Sequence, residues 1–157
     1  MAADRSDRII LFVGASLLAL YVAQGVLHLE CSALVQVQDD DRYRVISGCM
    51  LAVYLLHQSF MARRRVFDPV GVVFWHRLAG ALAPVVLYLH ASRFGYGYLF
   101  VLVSLFIGTI GFGLLHSVVL RVRLRWLFTW WFVLHVATSA SLVVLSGYHV
   151  LVALAYE

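Results

Sequence analysis

The sequence contains no lysine; all 12 of its basic residues are arginine. Charge of either sign is scarce, with 13% of the 157 residues charged and 63% hydrophobic. A soluble domain carries about 25% charged residues. The balance here, with a mean hydropathy of +0.91, excludes an ordinary soluble fold and points to a chain solvated by lipid. The pI of 9.4 does not mark a nucleic-acid binder. The arginines punctuate apolar runs and form no basic stripe alternating with exposed polar surface. Cysteine is almost missing as well. Cys31 and Cys49 are the only two, and neither belongs to a Cys-x-x-Cys or Cys-x-x-Cys-His pattern. A thiol redox motif and covalent haem attachment are therefore unsupported, and both thiols read as structural. The opening "MAADRSDR" runs into an apolar stretch of full spanning length with no convincing small-residue cleavage site, so it reads as a retained first helix.

What is present is a set of long hydrophobic runs. A helix that crosses a bilayer needs about 20 mostly apolar residues, and five segments qualify: 9–29, 45–62, 69–91, 98–120 and 126–155. The connections are short, which predicts one all-α bundle of five transmembrane helices, each against its sequence neighbour, with no separate soluble domain. Arginine placement orients the bundle. Arg5 and Arg8, then Arg63, Arg64 and Arg65, then Arg121, Arg123 and Arg125 all fall on one side. The other side has Arg42, Arg44 and Arg93, the first two beside Asp39, Asp40 and Asp41. The N-terminus is thus expected in the cytoplasm and Glu157 outside, in what reads as a bacterial inner membrane. Trp75, Trp126, Trp130 and Trp131 fall towards the cytoplasmic ends of the third and fifth spans, where indole rings suit the headgroup interface.

Seven histidines stand at positions 28, 57, 76, 90, 116, 135 and 149. An isolated histidine inside a span reads as an interhelical hydrogen-bonding group. Two pairs ask for more. His76 and His90 are 14 residues apart in the third span, and His135 and His149 are 14 apart in the fifth. Fourteen residues make almost four helical turns, so each pair shares a face, about 21 Å apart along the axis. The third and fifth spans run in the same direction. His76 and His135 therefore share the cytoplasmic half and His90 and His149 the outer half, as two bis-histidine haem sites would require. Along the same faces lie Gly80, Ala83 and Leu87, and Ser139, Leu142 and Ser146. Gly80 and Ser139, one turn after their histidines, are small enough to admit a flat macrocycle, although small residues serve direct helix packing equally well. Pro84 removes a backbone donor and predicts a kink between the two levels. Zinc fits less well, because it wants three or four converging ligands and each level supplies only two.

The paired segments "HRLAGALAPVVLYLH" and "HVATSASLVVLSGYH" resemble the dihaem core of membrane b-type cytochromes, as in cytochrome b of the quinol:cytochrome c oxidoreductases and the transmembrane domains of ferric reductases and NADPH oxidases. The resemblance covers the third to fifth spans, about half the chain. It implies two non-covalent b haems stacked across the bilayer, with His76, His90, His135 and His149 as axial ligands. The sequence departs from those families in having no Pro-Glu-Trp-Tyr-type quinol motif and no nucleotide-binding domain after the last span. The first two spans match no specific family pattern.

The remaining residues carry paired readings. Arg77 and Arg93 suit either haem propionates or lipid headgroups. His57 and His116 read first as helix-end histidines bonded to a carbonyl or water, and second as a further metal site, propionate partners or proton carriers at a quinone pocket. His28, beside Glu30, reads as interfacial. "SRFGYGYL", residues 92–99, supplies two glycines for a tight turn and tyrosines for the outer interface. "QDDDRYR" reads as a solvated loop, with docking of a basic cytochrome c as its functional alternative. Gly108, Gly111 and Gly113 thin the fourth span for close packing. The expectation is a dihaem conduit within a larger redox assembly, partnered by iron-sulfur, flavin or cytochrome c subunits. Two alternatives stand beside it: a quinone-reactive subunit, and a cofactor-free membrane anchor.

Overall fold

The computed structural model describes residues 2–63, 69–122 and 124–156. Arg64, Arg65, Arg123 and Glu157, which enter the orientation reading, lie outside them. The chain is all-α, 89% helical, with no strand among the described residues. In chain order the helices are α1 (Ala2–Val26), α2 (Ser32–Gln38), α3 (Asp41–Arg63), α4 (Pro69–His90), α5 (Tyr98–Leu114), α6 (His116–Val122) and α7 (Arg125–Tyr156). α1, α3, α4 and α7 are each long and apolar enough to cross a membrane, and α5 with α6 makes a fifth such run if the pair forms one span.

Two departures from the sequence reading concern helix ends. The run expected as one span over 98–120 breaks at Leu115, and α5 and α6 meet at a 43° bend. α1 stops at Val26, short of residue 29, because His28 adopts a left-handed backbone (φ 54°) and the Leu29 N–H turns back to the Gln24 carbonyl. That six-to-one bond is the Schellman way of satisfying the last carbonyls of a helix.

The chain divides into two compact units, Met1–Phe94 and Gly95–Glu157. In the first, α4 is the common partner of α1 and α3. α1 and α4 run parallel, joined by the ion pair Asp7–Arg77 at one end and by the Tyr21 hydroxyl, which donates to the Ala91 carbonyl, at the other. α3 is antiparallel to α4: the Tyr54 hydroxyl donates to the Ala79 carbonyl at 2.6 Å and the Tyr43 hydroxyl to the Leu89 carbonyl at 2.8 Å. Ile10, Tyr21, Ala81, Ala83, Pro84 and Leu87 form the core of this unit. The principal neighbour of α1 is thus α4 and not the next span, α3. The connection between them explains this: it is long enough to hold α2, whose Gln38 side-chain amide donates to the Tyr88 and Leu89 carbonyls at the end of α4.

In the second unit α5 packs antiparallel against α7. Val103, Phe106 and Ile110 recur at helical spacing on α5, and Trp131 and Leu142 answer them on α7. Outside these cores large apolar side chains are widely exposed, Phe12 and Val144 each at 74%. A water-solvated surface rarely carries so much contiguous apolar area.

Candidate functional site

α4 runs as one helix through Pro84, so His76 and His90 keep the same-face relation expected of their spacing. Between them Ala83, Pro84 and Leu87 are buried, whereas a Cβ added at Gly80 would meet nothing within 4 Å. Gly80 therefore borders open space, in contrast to Gly25, where a Cβ would come 2.4 Å from the Phe94 ring. Beside His76, whose Nδ1 is shielded from solvent, the Arg77 guanidinium is 12% exposed and pairs with Asp7 at 2.5 Å. His90 lies at the other end of α4, with its Nδ1 3.1 Å from the hydroxyl of Ser47 on α3. A Cβ at Gly48 would come 3.2 Å from its Cε1, so the absent side chain makes room for the ring. Past the helix end Arg93 holds Glu30 with two parallel bonds, 2.8 and 2.7 Å long. The hydrogen bond from Arg93 keeps the Glu30 carboxyl below the usual carboxylate range.

In the second unit α7 is likewise continuous, and His135 and His149 share the face that meets α5. A Cβ at Gly113 would come 3.6 Å from His135 Cε1, and the Tyr98 hydroxyl lies 3.3 Å from His149 Nδ1. Ser139 turns its hydroxyl back on its own helix, donating to the His135 carbonyl at 2.6 Å. Trp131, one turn before His135, lies parallel to that imidazole with ring centroids 5.9 Å apart. It also neighbours Phe128, at 5.6 Å, and His116, at 5.4 Å, the first residue after the bend. The Trp131 indole N–H donates to the Phe112 carbonyl at 2.6 Å and so satisfies a backbone acceptor beside the helix break.

No family model matches the chain, and no curated protein or solved structure matches it.

The first unit holds the pair His76 and His90 and the second the pair His135 and His149. Among the described residues no three His, Cys, Asp or Glu side chains gather at one point. The histidines of α4 and α7 are imidazole donors, two to a helix, a donor type that haem iron accepts, and a Cβ at Gly80 would meet no atom within 4 Å. His57 stands apart, on an exposed face of α3 with Val45, Ile46, Cys49, Met50, Val53 and Tyr54. Ser47, Gly48, Tyr98 and Trp131 were missed by sequence reasoning as neighbours of the histidines. Ser47, Gly48 and Tyr98 meet their histidine from another helix, as Trp131 meets His116, and hydropathy along one segment carries no trace of such contacts.

Proposed function

We propose that the chain is an integral membrane dihaem cytochrome b subunit that moves electrons across the bilayer between partner redox proteins or a quinone pool. One observation carries this reading: α4 and α7 are each an unbroken apolar helix with two imidazoles on one face at the same 14-residue spacing. His76 and His135 would hold one haem on the cytoplasmic side, and His90 and His149 a second on the outer side. The haems supply reversible one-electron chemistry when bound.

The chain's own residues do the rest. Neutral imidazoles are the ligating form, and an apolar surround favours that form by disfavouring the imidazolium. Ala83, Pro84 and Leu87 keep water from the helix face between the two levels. Arg77 and Arg93 are already balanced by Asp7 and Glu30, so a propionate at either level would compete with an existing ion pair. The arginine distribution supports a cytoplasmic N-terminus in a bacterial inner membrane. Donor and acceptor chemistry falls to partners: iron-sulfur, flavin or cytochrome c subunits. The quinone-reactive alternative would give proton handling to His116, which stands against Trp131 one turn from His135.

The test is a reduced-minus-oxidised spectrum of the purified chain with pyridine extraction for stoichiometry. Two b-type haems per chain are expected. His76→Ala, His90→Ala, His135→Ala and His149→Ala should each abolish one signal, and His28→Ala should leave both. A chain without haem overturns the reading and leaves a cofactor-free anchor. Loss of haem from His57→Ala or His116→Ala equal to that of the four would overturn the pairing.

A further inference from the structure

The imidazole of His90 meets α3 at two adjacent residues, Ser47 and Gly48, and the first of them offers a hydroxyl to the ring nitrogen Nδ1. Ser47 is 8% exposed and its Oγ lies 3.1 Å from His90 Nδ1. A hydroxyl has one hydrogen and two lone pairs. The Arg44 carbonyl on the preceding turn, 3.2 Å away, is an acceptor for the Ser47 hydrogen; with the hydrogen directed there the oxygen faces His90 with lone pairs, and the hydrogen shared between them comes from the ring.

We propose that Ser47 is the positioning residue of His90, holding the neutral imidazole as its Nδ1–H tautomer and so placing the ring's lone pair on Nε2. Gly48 is the seat: without a Cβ it lets the ring close on α3. The backbone of the same turn is clamped as well, by Gln38 and Tyr43 on the Leu89 carbonyl. A partner on the far nitrogen fixes the orientation of a ligating histidine and raises its basicity. The Tyr98 hydroxyl at His149 imposes no such direction, because its phenolic hydrogen is able to point at Nδ1. The tautomer stands on the geometry alone; its consequence for a bound haem rests on the function proposed above.

Two measurements on the full-length chain separate these. In haem-free protein, kept well above the ordinary imidazole pKa, 15N-histidine NMR reads the tautomer directly. His90 is expected as Nδ1–H in the wild type and in Ser47→Thr, and shifted towards Nε2–H in Ser47→Ala. In the haem-loaded protein, Ser47→Ala should weaken retention of one haem by about 10–100-fold and change the low-spin electron paramagnetic resonance signature of that haem alone. Ser47→Thr should restore both. A wild-type His90 found as Nε2–H, or a Ser47→Ala chain with unchanged tautomer and signature, overturns the proposal. A wild-type chain that binds no haem overturns the proposed function, and the NMR result still decides the role of Ser47.

Discussion

His28 sits at the one non-glycine position among the described residues with a left-handed backbone, where the chain leaves α1. That conformation brings the Cβ of an L-residue against a carbonyl oxygen and costs about 1 kcal/mol or more, which is why glycine dominates this position after a helix. His28→Gly should therefore stabilise the chain by about 1 kcal/mol, less the extra backbone entropy glycine loses on folding, seen as a higher thermal midpoint in detergent. Two residues on, Glu30 provides a second test. Its carboxyl is held below its ordinary value by the hydrogen bond from Arg93. A depressed carboxylate adds stability that is fully present above its unfolded pKa and lost as pH falls through the lower folded value. The thermal midpoint of the wild type should thus exceed that of Glu30→Gln at neutral pH and approach it in acid. Because both partners are exposed, salt should narrow the gap.

At the scale of elements the bend after Leu114 is the feature that most needs support. A helix break leaves carbonyls without their usual donors, and the buried Trp131 gives its indole N–H to the Phe112 carbonyl. Trp131→Phe keeps an aromatic ring but strands that acceptor, so a loss of about 1–3 kcal/mol is expected. Trp130→Phe, at a 60% exposed neighbour, is the control and should change little. The bend was not legible in the sequence for a physical reason: residues 98–120 are apolar on both sides of Leu115, and hydropathy is blind to where a helix changes direction. α1, α3, α4 and α7 were legible because a long apolar run suffices to specify a long helix. α2 was not, since its seven residues lie in a polar connection and its anchor is the tertiary bond from Gln38 to the end of α4. The histidine register followed directly from helical geometry. The hydroxyls of Ser47 and Tyr98 did not, because each reaches its imidazole from a different helix.

At the scale of the whole molecule the arginine asymmetry makes a claim that the native cysteines test. With the N-terminus in the cytoplasm, α1 delivers the chain to the outer face, and Cys31 lies in the connection that follows it, exposed. Cys49 lies within α3 on an exposed apolar face. A water-borne probe does not enter an apolar bilayer core, so Cys49 should react poorly with it although its side chain is exposed. In Cys49→Ser, a membrane-impermeant maleimide should label Cys31 from outside intact spheroplasts. Moving the thiol to the N-terminal side, as Ser6→Cys in a chain with both native cysteines changed to serine, should reverse the result and require permeabilisation. Labelling of Cys31 only after permeabilisation would invert the topology. It would exchange the two faces assigned to His76 and His90 and, under the proposed function, the sides from which redox partners would approach, leaving the same-face geometry on α4 and α7 intact.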